Sequence, residues 1–135
     1  MVQRLLALLS IVALTAACDT RVGGVIGVQP PASKLGFLTQ PTNTQAANPI
    51  SGVQVAAQTP DGQTRASSTA VITLSITAGT GTAGAVLSGA APQTAVGGLV
   101  TFSNLRIDLP GAGYTLTATS GGLATAISGP FTITP

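Results

Sequence analysis

Residues 108–122 read DLPGAGYTLTATSGG, and the fold can be worked out from this stretch. Tyr114, Leu116 and Ala118 alternate with threonines, so a strand here has one apolar face and one polar face. The β-branched threonines favour the strand, and their hydroxyls tolerate water. The glycine pair after Ser120, followed by another strand-like run, indicates a tight hairpin.

The same period-two alternation recurs on both sides of this stretch. It covers residues 34–37, 53–58, 71–77, 100–102, 105–107 and 131–134. The apolar phase breaks between Phe102 and Leu105, which predicts a bulge or a change of strand near Ser103 and Asn104. Pro60-Asp61-Gly62 has the residues of a turn, and Pro41 and Pro49 bracket a polar loop that should break or protect an edge.

Together these segments predict an all-β fold, an immunoglobulin-like antiparallel β-sandwich of about seven strands. We expect no substantial helix after Ser33. The residues expected inside the sandwich are Leu35, Val55, Leu74, Phe102, Leu116 and Ile133.

Composition excludes several classes of function. The chain has 135 residues, enough for one domain, and only 6% of them are charged, against about 25% in typical domains. It lacks His, Glu and Trp, so a Ser-His-Asp triad and a His-ligated metal are excluded. A net charge of +2 gives no basic patch for nucleic acid. The mean hydropathy of +0.52 argues against a disordered chain.

The N-terminus has the order of an export signal. Arg4 precedes an apolar run over residues 5–14, which is shorter than the ~20 residues that span a bilayer, and small residues follow it. Residues 1–17 are therefore predicted to be a signal peptide that is cleaved before Cys18. The tether predicted to follow, residues 18–33, contains Gly and Pro pairs and no periodic pattern; the alternative is a strand over residues 22–28.

The sequence LTAAC at residues 14–18 resembles the lipobox of bacterial lipoproteins, with Thr15 where that family usually has Leu. The resemblance implies that the Cys18 thiol receives a diacylglycerol and that Cys18 becomes the new N-terminus. The alternative is an ordinary signal peptide with an incidental Cys. Cys18 is the only Cys, so no intramolecular disulfide can form. Asp19 resembles the inner-membrane retention signal of many Gram-negative lipoproteins, and the choice of membrane stays open.

Tyr114 lies two residues before an apolar position and so resembles the tyrosine corner of immunoglobulin-like domains, whose phenol bonds backbone a few residues upstream. The alternative is a core tyrosine with its hydroxyl in water. Residues 34–41, 61–62, 98–105 and 113–122, in that order, resemble the Ig-like repeats of large bacterial envelope and secreted proteins. The resemblance implies one domain over residues 34–135. It also implies a spacer or adhesive role, although this chain holds one copy where that family strings many.

Few residues of the chain are candidates for binding a cofactor or metal or for catalysis. Residues 79–84 (GTGTAG) match the G-x-G-x-x-G pattern of dinucleotide sites, but residues 85–92 are poor helix material and no acid follows near residue 101. We therefore predict a Gly-rich loop between strands and no cofactor. Two aspartates distant in sequence, Asp61 and Asp108, are too few carboxylates to indicate a calcium site. Asp61 is better explained by its turn and Asp108 by the tyrosine corner, so no metal is predicted. Ser and Thr side chains lack an activating partner, and we predict no enzyme.

Two classes of function remain. The first is a membrane-anchored, non-catalytic envelope module that contacts a protein partner, in adhesion or structural support. Strand addition along residues 53–58 or 131–134 is its expected mode. The alternative is a small-ligand or glycan-binding lipoprotein, which would need exposed aromatic rings. The first class is favoured because Phe37, Phe102, Tyr114 and Phe131 all fall on faces expected to be buried. Either module is expected at the bacterial cell envelope, on its periplasmic or cell-surface side.

Overall fold

The structure, a computed structural model, describes residues 29–135. These residues form strands, turns and loops and contain no helix, and therefore no helix that could cross a membrane. The strands are β1 (Lys34–Thr39), β2 (Thr44–Gln45), β3 (Val53–Gln58), β4 (Val71–Ile76), β5 (Leu87–Ser88), β6 (Gln93–Thr94), β7 (Leu99–Phe102), β8 (Arg106–Ile107), β9 (Gly111–Tyr114), β10 (Leu116–Ser120), β11 (Leu123–Ile127) and β12 (Phe131–Thr134). The predicted all-β class is confirmed. Three two-residue strands, β2, β5 and β6, are too short to show an alternation and lie outside the predicted segments, so the sequence predicted fewer strands.

Seven strands are hydrogen-bonded in the order β6-β4-β10-β11-β1-β3-β7. One parallel pairing, Lys34 with Ala124, joins the halves β7-β3-β1 and β11-β10-β4-β6, and every other pairing in this sheet is antiparallel. The two halves bury their apolar faces in one core and so form a sandwich. The sandwich is mixed rather than wholly antiparallel, because β1 and then β2 run parallel to the last strands of the chain, β11 and β12.

The core contains all six side chains that the alternation placed inside. Each of the six is less than 5% exposed. Ile50 and Leu105 are also fully buried, and Ile107 of β8 lies with them. The buried cluster draws on both halves of the large sheet and on β9 and β12, so one continuous core supports the domain.

The predicted change of strand after Phe102 is present. Strand β7 ends at Phe102 in the large sheet, and β8 begins at Arg106 in a separate two-stranded sheet with β5. Leu105 lies between the two strands and belongs to neither of them. Its carbonyl accepts a hydrogen bond of 2.7 Å from Ile50 N. This link fixes the end of the loop that follows Pro49.

Both predicted turns are present. The Gly62 N–H donates to Thr59 O at 2.9 Å across the Pro60-Asp61 turn. Ser120 pairs with Leu123, so Gly121 and Gly122 form the two-residue loop of the β10–β11 hairpin. Gly122 has a φ of +80°, a conformation that only glycine adopts at no steric cost.

The prediction that residues 53–58 and 131–134 offer free edges is wrong. Strand β3 lies between β1 and β7, and β12 lies between β2 and β9. Ala56, which the alternation places on the polar face of β3, is fully buried between its register partners Gly36 and Leu99. The edges of the large sheet are β6 and β7 instead.

The strand directions give the domain two distinct ends. Strand β1 begins, and β3 ends, beside the β10–β11 hairpin loop and the start of β4. Residue 29 enters at this end, which we call the entry end. The far end carries β2, β9, β12 and the loops over residues 40–52, 77–86 and 103–110. Pro135 lies there, and its carbonyl accepts a hydrogen bond of 2.9 Å from Gln45 Nε2.

Residues 29–33, the end of the predicted tether, contact the sandwich. The Gln29 amide bonds Arg65 and Thr64, and Ser33 exchanges backbone hydrogen bonds with Gln58 and Ala124. The predicted signal peptide, Cys18, Asp19, tether residues 18–28 and the alternative strand over residues 22–28 lie outside the described residues.

Replacing Phe102 by Ala tests the core assignment. Phe102 is fully buried, so its removal should lower the free energy of unfolding by about 3–5 kcal/mol, from the ~5–15 kcal/mol typical of a domain. Urea unfolding measures the change. Val96→Ala is the control, because Val96 is 82% exposed and its truncation should cost less than about 0.5 kcal/mol. Equal losses for the two variants would contradict the assignment.

Candidate functional site

Tyr114 organises the far end of the sandwich. Its side chain is fully buried, and its hydroxyl donates to Leu109 O at 2.7 Å, five residues upstream. This is the hydrogen bond expected of a tyrosine corner, and the hydroxyl is not left to water. Its ring lies beside that of Phe131, with centroids 6.0 Å apart and planes tilted by 31°. The role is structural, because both polar and apolar parts of the side chain are used in packing.

The GTGTAG segment, residues 79–84, is a loop between β4 and β5 with no helix after it. Gly81 lies against the Tyr114 ring so closely that a Cβ there would meet ring carbons at 2.1 Å. The threonines on either side of Gly81 bond the loop to the segment around Tyr114. Thr80 Oγ1 accepts from Thr115 N at 3.2 Å, and the Thr82 hydroxyl donates to Pro110 O. The loop therefore closes the core over Tyr114.

The two aspartates considered for calcium lie at opposite ends of the sandwich. Asp61 is in the β3–β4 turn at the entry end, and Asp108 is between β8 and β9 at the far end. Asp108 Oδ1 accepts a hydrogen bond of 2.7 Å from Val86 N, which binds β8 to the segment before β5. Within residues 29–135, no three His, Cys, Asp or Glu side chains come together to hold a metal ion.

Ser128 is one of two buried hydroxyl residues in residues 29–135, and the other is Thr59. Its Oγ accepts from Leu116 N at 2.9 Å and donates to Gly129 O at 3.0 Å. Its own N–H donates to Leu116 O at 2.8 Å. These bonds fasten the chain where β11 gives way to β12. They also occupy the hydroxyl, and the chain has no His to activate it, so Ser128 is explained as a structural residue.

A shallow depression of about 370 Å³ opens at the entry end. Its lining includes Arg65 and three hydroxyl residues of the β3–β4 connection, Ser67, Ser68 and Thr69, together with Pro31 and the hairpin residue Leu123. The guanidinium is held in place, because Arg65 Nη1 donates to Gln29 Oε1 at 2.9 Å. No sequence pattern indicates this depression, since its lining residues 31–32, 65, 67–70, 121 and 123 meet only in the fold.

The outer faces of the two halves of the sandwich differ. On β4, β10 and β11 the side chains opposite the core are Val71, Thr73, Ser75, Thr117, Thr119, Thr125 and Ile127, which we call the hydroxyl face. Ser75, Thr117 and Ile127 form one row across three strands. Val71 is 50% exposed and Ile127 60% exposed. No member of this face is charged.

The other outer face, on β1, β3 and β7, is covered by its own glutamines. Gln54 accepts from Thr39 Oγ1 at 3.2 Å and donates to Thr101 Oγ1 at 3.4 Å. The Gln58 side chain lies over Gly36. The Gln54 amide therefore uses both its acceptor and its donor within the domain. On the hydroxyl face, the Thr117 hydroxyl is hydrogen-bonded to that of Thr77, and the Thr119 hydroxyl donates to Thr73 O.

The aromatic rings are not displayed on the surface. Phe102, Tyr114 and Phe131 are buried, and Phe37, expected on a buried face, is half-buried against the core. The chain has no other aromatic residue. No protein-family model matches the chain, and a search of the curated proteins finds no significant match.

Proposed function

We propose that this chain is a non-catalytic, lipid-anchored envelope module with an immunoglobulin-like sandwich, and that it works by contacting a protein partner in adhesion or structural support. The hydroxyl face is the observation that carries this proposal. A partner that covers it desolvates methyl groups, two large apolar side chains and hydroxyls, and it buries no charge. Charged residues are depleted in the cores of protein interfaces for this reason.

The separation of the two ends supports a spacer-like arrangement. Residue 29 is fixed at the entry end, and the far end points away from it. If Cys18 carries lipid, residues 19–28 are the ten residues between the anchor and the first fixed residue. Ten residues reach at most ~33–36 Å and, as a flexible chain, about 16–19 Å on average. The entry end then stays next to the membrane, and the hydroxyl face lies between the entry end and the far end.

Contact through a face replaces the strand addition expected from the sequence. The edge strand β6 has two residues. The start of edge strand β7 is occupied, because Leu99 and Val96 exchange backbone hydrogen bonds of 3.0 and 3.2 Å across a glycine turn. Short or covered edges resist the addition of another strand.

The glycan-binding alternative is weaker because sugars stack on exposed aromatic rings, and the four aromatic side chains are buried or half-buried. The proposed anchor rests on the sequence alone. Arg4, the apolar run and Cys18 support it through their order and spacing. Two acyl signals are generally needed for stable anchoring, and the lipoprotein chemistry that the lipobox implies supplies more than one chain.

Cys18→Ser tests the anchor. The variant should leave the precursor uncleaved or release the domain from the membrane fraction, because a serine hydroxyl does not take the place of the thiol in lipid transfer. Thr15→Leu is the control, since it brings the segment closer to the lipobox and should keep the protein in membranes. Fractionation and intact-mass measurement read the result. Mature protein with an unmodified Cys18 would contradict the anchor.

Crosslinking in intact cells tests the contact surface. A photoreactive residue at Thr119, exposed on the hydroxyl face, should give an adduct with one discrete envelope protein. The same residue at Thr101, exposed on β7, should not. Ile127→Asp should abolish the Thr119 adduct because it places a charge in the contact, whereas Leu38→Asp, at an exposed apolar site of the other half, should leave it unchanged.

Equal adducts at Thr119 and Thr101, or a Thr119 adduct that survives Ile127→Asp, would show that the hydroxyl face is not the contact. Absence of any protein adduct, together with micromolar binding of a defined glycan by the purified protein, would favour the glycan-binding alternative.

A further inference from the structure

The depression around Arg65 has the chemistry of an oxyanion site. A guanidinium has five N–H donors, and within the described residues Arg65 commits one of its nitrogens, Nη1, to Gln29. The bond to Gln29 orients the planar group without neutralising it, because the acceptor is an uncharged amide. Phosphate and carboxylate oxygens are the partners that such a fork binds in two places at once.

Further donors lie beside the guanidinium on the same connection. Ser67 and Thr69 are exposed, and in the part of the chain that the structure describes their backbone N–H groups reach no acceptor. Both residues line the depression, as does Ser68, whose Oγ accepts from Ala70 N at 3.3 Å. A cation flanked by hydroxyl and backbone donors suits an anion that offers several oxygens.

The position of the depression indicates which anion it would meet. It lies at the entry end, directly beside Pro31 and Ala32 of the incoming chain. Two of the three cationic side chains in residues 29–135, Lys34 and Arg65, lie at this end, and Arg106 lies at the far end with its Nη1 on Ala47 O. The carboxylate at the entry end, Asp61, is in the Pro60 turn and does not line the depression.

We propose that the Arg65 depression binds a phosphate oxyanion, and that in the anchored protein this is the phosphodiester of a membrane lipid headgroup. The headgroup assignment rests on the proposed lipid anchor, whereas the binding of phosphate rests on the depression itself. A lipid held at Arg65 orients the domain on the bilayer and holds its entry end against the headgroups. The hydroxyl face then stands at a fixed angle to the membrane.

Nuclear magnetic resonance of the full mature chain, purified from membranes in a phosphate-free maltoside detergent, tests the proposal. The probes are inorganic phosphate, glycerol phosphate, and bilayer discs of phosphatidylglycerol or of a phosphate-free galactolipid. We expect saturable shifts of the Ser67, Ser68 and Thr69 amides with glycerol phosphate and with phosphatidylglycerol discs, but not with galactolipid discs. Arg65→Gln should weaken binding about tenfold or more, and Arg106→Gln should leave it unchanged.

The outcomes separate the two parts of the proposal. Shifts with inorganic phosphate but not with phosphatidylglycerol discs would overturn the headgroup assignment. No saturable shift with any phosphate probe, or equal binding by Arg65→Gln, would overturn the site altogether. The mass of Cys18 in the same samples reports the anchor independently. An unmodified Cys18 with intact glycerol phosphate binding would refute the anchoring and the headgroup assignment and leave the phosphate site standing.

Discussion

The far end of the sandwich depends on the burial of Tyr114. Its phenol satisfies the Leu109 carbonyl, its ring packs beside Phe131, and the backbone of Gly81 lies against the ring. Three segments distant in sequence therefore meet on one side chain. A buried tyrosine combines a large apolar surface with one polar atom that must find a partner, so its position is strongly specified. The low charge of the chain leaves few ion pairs that could take over this role.

This arrangement divides the domain into ends with different tasks. The far end is held by packing and by threonine and serine hydroxyls that bond backbone. The entry end holds two of the cations and a depression beside the incoming chain. Between them, the hydroxyl face presents small side chains without charge. The proposed function needs no catalytic group, because it would consist of positioning surfaces relative to a membrane and a partner.

Local patterns were enough to predict much of the fold. Period-two alternation predicted buried side chains and the break after Phe102, and the residue types Pro, Asp and Gly predicted the Pro60 and Gly121 turns, since each of these features depends on neighbouring residues. The hydrogen bond of Tyr114 could also be predicted, because the tyrosine corner joins residues only five positions apart. The long-range order of strands was not predictable in this way. Residues 53–58 and 131–134 became interior strands, and β2 and β6 were too short to leave a pattern. Gly81 contacts Tyr114, and Arg65 lies beside Pro31 and Leu123, all more than 25 residues away in sequence. No local pattern therefore indicates the loop that closes over Tyr114 or the depression around Arg65.

The closure of the core over Tyr114 is tested most directly by comparing the free energies of unfolding of Gly81→Ala and Gly84→Ala. Both glycines have positive φ, +68° and +83°, so both variants bear a backbone cost of roughly 1–2 kcal/mol. Only at Gly81 would the new methyl group meet the Tyr114 ring. We expect Gly81→Ala to lose about 1–3 kcal/mol more of the free energy of unfolding than Gly84→Ala in urea unfolding, because of overpacking. Equal losses in the two variants would contradict the closure of the core by Gly81.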